Sequence, residues 1–471
     1  MEKITTFQFD PVKTPGIIHA DNLTKESAVA VAEVLQDNNA KYHIFQTTED
    51  EMGVYLHNHI AHHDITLWAL GAKPETIRNL HHRNTLVQRG AFAIQEALVL
   101  DMEDSKVFQR CLGKEENFRN FERFFMRLIN EIGYEEVLQK YLFDRSEVAD
   151  DILFRMYMGY VHGLIHLNFA IEFKQPLLLA EAFAQACVHN DPWYTEYLTA
   201  AEAMAATSTE SPLPLSACFD LERADPVIST SSSYYYHSQR RPSGKWAADV
   251  EQARDGILVK AKSEICRIAA RYRVDPNDLD RATAELINTA VYGTAGAQRP
   301  PKECRFDFYL LHSVTACIGH SVFIQEKSIS PAQKARFLEH TGRVFMLTYA
   351  GMGCPEIRLD WLVSHPPKLP NQGWAEIFER ACLHEDDGHF AKLIRCTAHA
   401  QRVSEPYDHL PEFRVKQHMF LTAGNAMIDS GTEPAKMGTK QFNWSIRGAG
   451  FPEAWASVPL RSDRVPVAST E

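Results

Sequence analysis

The stretch NFRNFERFFMRLINEIGYEEVLQKYLF, residues 117–143, sets Phe118, Phe121, Phe125, Leu128, Ile129 and Ile132 three and four apart, with charges between them. Only a helix brings residues at that spacing onto one face. The segment therefore has to fold as a helix that buries one stripe against a neighbour. The same spacing recurs at 86–102 (LVQRGAFAIQEALVLDM), 262–272, 283–293, 333–351 and 374–383. NLTKESAVAVAEVLQDNN offers Asn22 and Thr24 as N-cap candidates, whose side-chain oxygens can accept the first free amides. Period-two patterns are rare; ADPVISTSSSYYYHS, residues 224–238, is the best and is weak. An all-α chain is expected.

Residues 1–430 are expected to form one large multi-helical domain in two halves, 1–205 and 246–430, around a central histidine-lined cavity. The halves are joined by 206–245, a stretch rich in Ser, Thr and Pro with no helical stripe, whose run Tyr234-Tyr235-Tyr236 should pack against something. Residues 431–471 read as an irregular tail. Apolar residues make up 45% and charged residues 23%, the balance of a globular chain. A net charge of −12 argues against a nucleic-acid partner, which needs a basic surface. No apolar run reaches a membrane span, and MEKITTFQFDPVKT lacks the layout of a secretory leader. The nine cysteines are scattered with no Cys-x-x-Cys pair. A thiol-keeping, cytoplasmic location is expected, and a cysteine zinc site is not.

Residues 57–64 read HNHIAHHD and run into the apolar ITLWALGA. Imidazole in a buried helix needs a partner, since an unpaired polar group there costs about 1–3 kcal/mol. His59 and His63 are four apart, with His62 beside them, and such a pair is a recurring way to present nitrogen ligands to a metal. Taken alone it is more commonly a hydrogen-bonded core pair. Three further apolar segments repeat the theme: YMGYVHGLIHLNFAIEF with His162 and His166, FDFYLLHSVTACIGH with His312 and His320, and HEDDGHFAKLIRCTAHAQR with His389, Lys392 and His399. One central metal would explain all four segments; helix-to-helix hydrogen bonds would explain each separately. Lys392 has no acidic residue three or four positions away. Desolvated, its amine would lose its proton and become a nucleophile, able to add carbon dioxide and form a metal-ligating carbamate.

No dinucleotide-binding glycine motif, P-loop or nucleophile elbow is present. The AHHD of residues 61–64 contains a His-Asp doublet like that of HD-type metal-dependent phosphohydrolases, an alternative reading. A non-enzymatic helical scaffold is a second.

Together HNHIAHHDITLWALGA, HGLIHLNFAIEF, FDFYLLHSVTACIGH and DDGHFAKLIRCTAHA resemble the fungal questin oxidase-like family, over about residues 15–400. The resemblance implies an all-helical oxygen-using oxidoreductase of secondary metabolism. Its substrate would be an aromatic polyketide, an anthraquinone or its hydroquinone, undergoing ring cleavage or Baeyer–Villiger-type oxygen insertion. It also implies either a non-haem Fe(II) centre with histidines and a carboxylated lysine, or a reaction without cofactor. Carried over, the metal ligands are His59, His63, His166 (with His162 as its rival), His312 and Lys392, and His389 is a candidate for the unaligned fourth histidine. In the cofactor-free form, His62, His162, His389 and Lys392 are the acid, base and oxyanion candidates. O2 is the co-substrate, no flavin is expected, and NADPH would act indirectly through a partner reductase that prepares the substrate. Asn168 stands where the family's His-Leu-Gly pattern has glycine, which would put a polar side chain near the pocket. Trp68 and Phe169 are candidate walls for a flat ring.

Overall fold

A computed structural model describes residues 5–46, 56–234, 252–431 and 444–462. Helix makes up 63% and strand 4%, an all-α architecture. The first long helix, α1 (Lys25–Lys41), starts at Thr24. Thr24 accepts the Ser27 amide at 3.1 Å, and the Ser27 hydroxyl accepts the Thr24 amide at 3.2 Å, so two orphaned amide N–H groups of the helix end are satisfied reciprocally. Helix α2 (Ile60–Ala69) carries the His62-His63-Asp64 run and is buried along its whole length. The phenylalanine stripe becomes α3 (Phe118–Ile132), which buries Phe118, Phe121, Phe124, Phe125 and Ile129. It does not continue unbroken to 143. Gly133 at φ +88° ends it, a backbone conformation that a Cβ would resist, and short helical turns complete the span to Phe143.

Helix α4 (Met158–Glu172) begins with three left-handed residues, Gly159, Tyr160 and Val161. Helix α5 (Pro176–Val188) packs against α3 and α4, with Phe125 stacked on Phe183 at 4.6 Å. In the second half, α6 (Leu279–Ala295) packs on α7 (Leu310–Thr315) and α8 (His389–Ser404). The helices α2, α4, α7 and α8 then meet in a ring, each touching the next: α2 on α4, α4 on α7, α7 on α8 and α8 on α2. The buried ion pair between Glu172 of α4 and Arg395 of α8 ties two of its members together. One hydrophobic core spans both halves, from Phe7 to Val458.

Strand is scarce and short. β1 (Tyr42–Gln46) pairs antiparallel with β2 (Gln88–Gly90), and β3 (Phe306–Asp307) pairs parallel with β4 (Ser445–Ile446). The expected helix over 86–102 is thus corrected: its first part pairs with β1, and only Glu96–Asp101 is helical. Within the weak strand expected at 224–238, Pro226–Ser231 is a helix, whose first amides are accepted by the Asp225 carboxylate; residues 235–238 lie outside the described residues. The stretch 206–245 also contains a helix at Leu215–Ala224 that buries Leu215, Cys218, Phe219 and Glu222, a stripe too short to show as a repeat. Tyr234 lies 6.3 Å from the Phe451 ring; Tyr235 and Tyr236 lie outside the described residues. From the C-terminal segment, Trp444 and Trp455 are buried. Asp307 fastens that segment to the site. One carboxylate oxygen accepts the Tyr309 and Leu310 amides at the start of α7, and the other accepts those of Gly448 and Ala449. Among the described residues no helix is long and apolar enough to cross a membrane.

Candidate active site: a buried histidine centre

The ring of four helices points one imidazole inward from each member. His59 is the residue before α2, His162 follows the left-handed stretch of α4, His312 lies in α7, and His389 opens α8. The His59 and His162 Nε2 atoms are 2.7 Å apart, and those of His389 and His312 are 3.2 Å apart. Ligand atoms of His59, His162 and His389 all lie within 4.8 Å of one another. Gly388, at φ +95°, lets the chain into α8 pass over α2; a Cβ there would stand 2.6 Å from the His63 Cβ.

Each of these rings is fixed from behind. Asp387 bridges two of them, accepting from His59 Nδ1 at 2.9 Å and from His389 Nδ1 at 2.6 Å. His162 Nδ1 donates to the Gly159 carbonyl at 2.5 Å, and His312 Nδ1 to that of Phe308 at 2.7 Å. Carbonyls and carboxylates only accept, so these acceptors assign the proton to Nδ1 in every ring. In neutral imidazoles that leaves four bare Nε2 lone pairs facing one another. Burial holds His59 down to about 3, with the Lys392 charge adding to it, and holds His162 and His312 well below the ordinary imidazole range. These three rings therefore resist protonation, and inward lone pairs held this way are a donor set for a cation. Imidazoles whose second nitrogen is anchored on a carboxylate or carbonyl are the usual surroundings of a transition metal. The residues present fit one.

Lys392 lies one turn after His389 on α8, is 1% exposed, and makes no ion pair or side-chain hydrogen bond among the described residues. Burial pushes its ammonium down to about 8, against the opposing pull of Asp387 and Asp386. For the Asp387 carboxyl, burial would raise the value, but His389 and His59 outweigh it and keep it well below the ordinary range.

The remaining expected residues sit beside this group and not in it. His63 hydrogen-bonds Asn84 at 2.8 Å. His166 accepts from His62 at 3.0 Å through Nδ1 and donates to Glu181 at 2.9 Å through Nε2. Two of the expected ligands, His63 and His166, therefore have other partners, while His162 and His389 join His59 and His312. With its Nε2 proton given to His166, His62 keeps a bare, buried Nδ1 without a partner. Phe169 stacks on His62 at 5.4 Å and does border the site, whereas Trp68 packs on Phe9 and Phe173. Asn168 makes no hydrogen bond to a histidine among the described residues. Its amide donates to the Ala316 carbonyl at 2.6 Å, and its side chain fills the space over Gly319, where a Cβ would come within 2.2 Å of it. Sequence reasoning missed Asp387, although it adjoins His389 in HEDDGH, and Glu181, for which no local signal exists. It also missed His57, which stacks on His162 at 3.9 Å and meets His189 Nε2 at 2.8 Å.

The sequence model of the questin oxidase-like family matches residues 56–397, which contain every one of these groups. The chain belongs to the questin oxidase-like family. Its relatives in that family include the oxidoreductase AflY of Aspergillus parasiticus, 34% identical over 90% of this chain and 83% of its own. The questin oxidase of Aspergillus fumigatus is 32% identical over 94% and 97%. The Baeyer–Villiger oxidase ptaJ of Pestalotiopsis fici is 30% identical over 92% and 94%. The chain is thus an oxygen-dependent oxidoreductase. The scaffold and phosphohydrolase readings fall with that finding, and the His63-Asp64 doublet agrees: Asp64 accepts from His81 at 2.8 Å, apart from the central rings.

Proposed function

We propose that this enzyme cleaves, or inserts oxygen into, a ring of an aromatic polyketide, an anthraquinone or its hydroquinone, at Fe(II) held in the histidine centre. The substrate reading rests on the names of the relatives. The site reading rests on one observation: four Nε2 lone pairs, each with its Nδ1 proton already committed, face one another in a buried ring of helices. His59, His162 and His389 would hold the metal, with His312 and Lys392 completing the set. When bound, Fe(II) supplies the one-electron chemistry that spin-paired organic substrates need to react with O2.

The side chains do the rest. Asp387 and the Gly159 and Phe308 carbonyls keep the rings in the ligating tautomer, and the helical ring excludes water. The Lys392 ammonium gives up its proton near pH 8. The free amine then adds carbon dioxide, forming the N–C bond and releasing the second proton, and the carbamate anion offsets a charge otherwise met by neutral imidazoles. His62, its tautomer fixed by Glu181 through His166, is the base candidate. The substrate arrives already reduced by a separate NADPH-dependent reductase, so NADPH acts indirectly. Metal analysis with oxygen uptake tests the reading: protein loaded with Fe(II) should consume O2 with a reduced anthraquinone and yield a ring-opened or ring-expanded product. Full turnover by metal-free protein would hand the chemistry to His62, His162, His389 and Lys392 as acid, base and oxyanion partners.

A further inference from the structure

A cavity of about 350 Å³ lies at the C-terminal end of α4, apart from the histidine centre, a volume within the range of small-molecule sites, roughly 300–1,000 Å³. No residue of the histidine centre lines it. Its apolar wall is made by Pro15, Ile17, Tyr134, Ile171, Pro176 and Leu179, an aromatic ring and two rigid pyrrolidine rings among aliphatic side chains.

The cavity is a built feature. The segment before α1 crosses the end of α4 as a strap and forms one wall. Gln8 and Gln175 exchange two hydrogen bonds, at 3.1 and 2.6 Å. The Ile17 amide donates to Glu172 at 2.8 Å, and Arg395 donates to the Ile18 carbonyl at 3.0 Å. Gly16, at φ +85°, lies so close that a Cβ would stand 2.7 Å from the Arg395 guanidinium and 2.8 Å from the Glu172 carboxylate. The buried Glu172–Arg395 pair, which is costly to desolvate, thus anchors the strap beside the cavity.

The charges lining the cavity do not cancel. Glu172 is neutralised by Arg395. Lys13, Lys174 and Glu326 have no ion-pair partner among the described residues, and all three line the cavity, which leaves one net positive charge. We propose that this cavity binds a flat aromatic molecule carrying a single negative charge, its rings between the prolines and Tyr134 and its anion toward Lys13 and Lys174. The site is independent of the chemistry assigned to the histidine centre.

The test uses the whole protein and the dye anilinonaphthalene sulfonate, an aromatic monoanion that fluoresces when desolvated. The dye should bind saturably. Lys13→Glu with Lys174→Glu should weaken it about tenfold or more, as expected for reversing charges near an anion. Leu179→Trp should abolish binding by filling the space, His312→Ala should leave it unchanged, and the uncharged N-phenylnaphthylamine should bind about tenfold more weakly or worse. The exposed lysine variants keep the test open if Leu179→Trp does not fold. Unchanged affinity in the lysine variant would overturn the proposal. So would loss of binding in His312→Ala, because the dye would then report the histidine centre. Tighter binding of decanoate than of the dye, in competition, would overturn the assignment of a flat ligand.

Discussion

Asp387→Asn tests how the histidine centre is put together. One carboxylate accepts from His59 Nδ1 at 2.9 Å and from His389 Nδ1 at 2.6 Å, so a single side chain sets the tautomer of two rings. Asparagine keeps the shape but offers one acceptor and one donor. Its NH2 would meet an Nδ1–H, and that ring can restore a hydrogen bond only by moving its proton to Nε2, which removes one of the four inward lone pairs. A hydrogen bond to a charged group is worth about 1.5–3 kcal/mol, and loss of an outer partner of a metal-ligating histidine typically costs about 10–100-fold in affinity or activity. Fe(II) binding weaker by about that factor is expected, read by metal titration alongside oxygen uptake. A second readout has its own sign. Asp387 is the foremost charge holding the Lys392 ammonium up, so its neutralisation should move any rise of metal loading with pH to lower pH. Wild-type metal affinity in both Asp387→Asn and Asp387→Ala would refute the reasoning.

Lys392→Ala should lose both metal and turnover, and added bicarbonate should raise metal occupancy in the wild type only; a lysine on an ordinary surface would change stability by about 0.5 kcal/mol or less. Lys392 also fixes a pH slope in metal-free protein. Its folded value of about 8 lies below the ordinary 10.5, so between those values the unfolded chain binds more protons and stability rises with pH. Lys392→Met should remove that slope in urea melts between pH 7 and 10 and gain roughly 3 kcal/mol at pH 7; an unchanged slope would place the ammonium in water. Asn168→Gly should cost about 2–4 kcal/mol through a lost buried hydrogen bond, a void and a mid-helix glycine, and Gly319→Ala about 1–3 kcal/mol through overpacking. Because the two positions share one space, the double variant should be more stable than the sum of the two losses allows, and strict additivity of the melts would contradict the contact.

The helices and the four histidine segments were legible in the sequence because burial repeats at three and four, and because imidazole in such a stripe demands a partner. The choice between rings was not. His59 with His63, and His162 with His166, look equivalent at a spacing of four, but that rule holds only inside a regular helix. His59 stands before α2 at φ −95° and ψ 0°, and His162 comes directly after the left-handed residues of α4. Both rings belong to helix ends, which aim them at each other, while His63 and His166 follow the regular turns to Asn84 and Glu181. Asp387 escaped for a related reason, since its role needs two rings from distant segments to arrive at one carboxylate.

The backbone itself argues that this geometry is selected for the site and not for stability. Tyr160 and Val161 hold φ of +54° and +60°, a conformation that costs roughly 1–2 kcal/mol for each residue with a Cβ and is least tolerable for a β-branched one. Gly159 cannot be larger, because a Cβ there would stand 2.6 Å from His189 Nε2 and 2.8 Å from His57 Nε2. The reversal brings the Gly159 carbonyl onto His162 Nδ1 and leaves Nε2 facing His59. A chain that only needed a stable helix here would continue α4 as an ordinary turn. Local strain of a few kcal/mol, persisting where the surroundings over-determine it, is the mark of a functional position, and in this fold it falls on the residue immediately before a histidine of the centre.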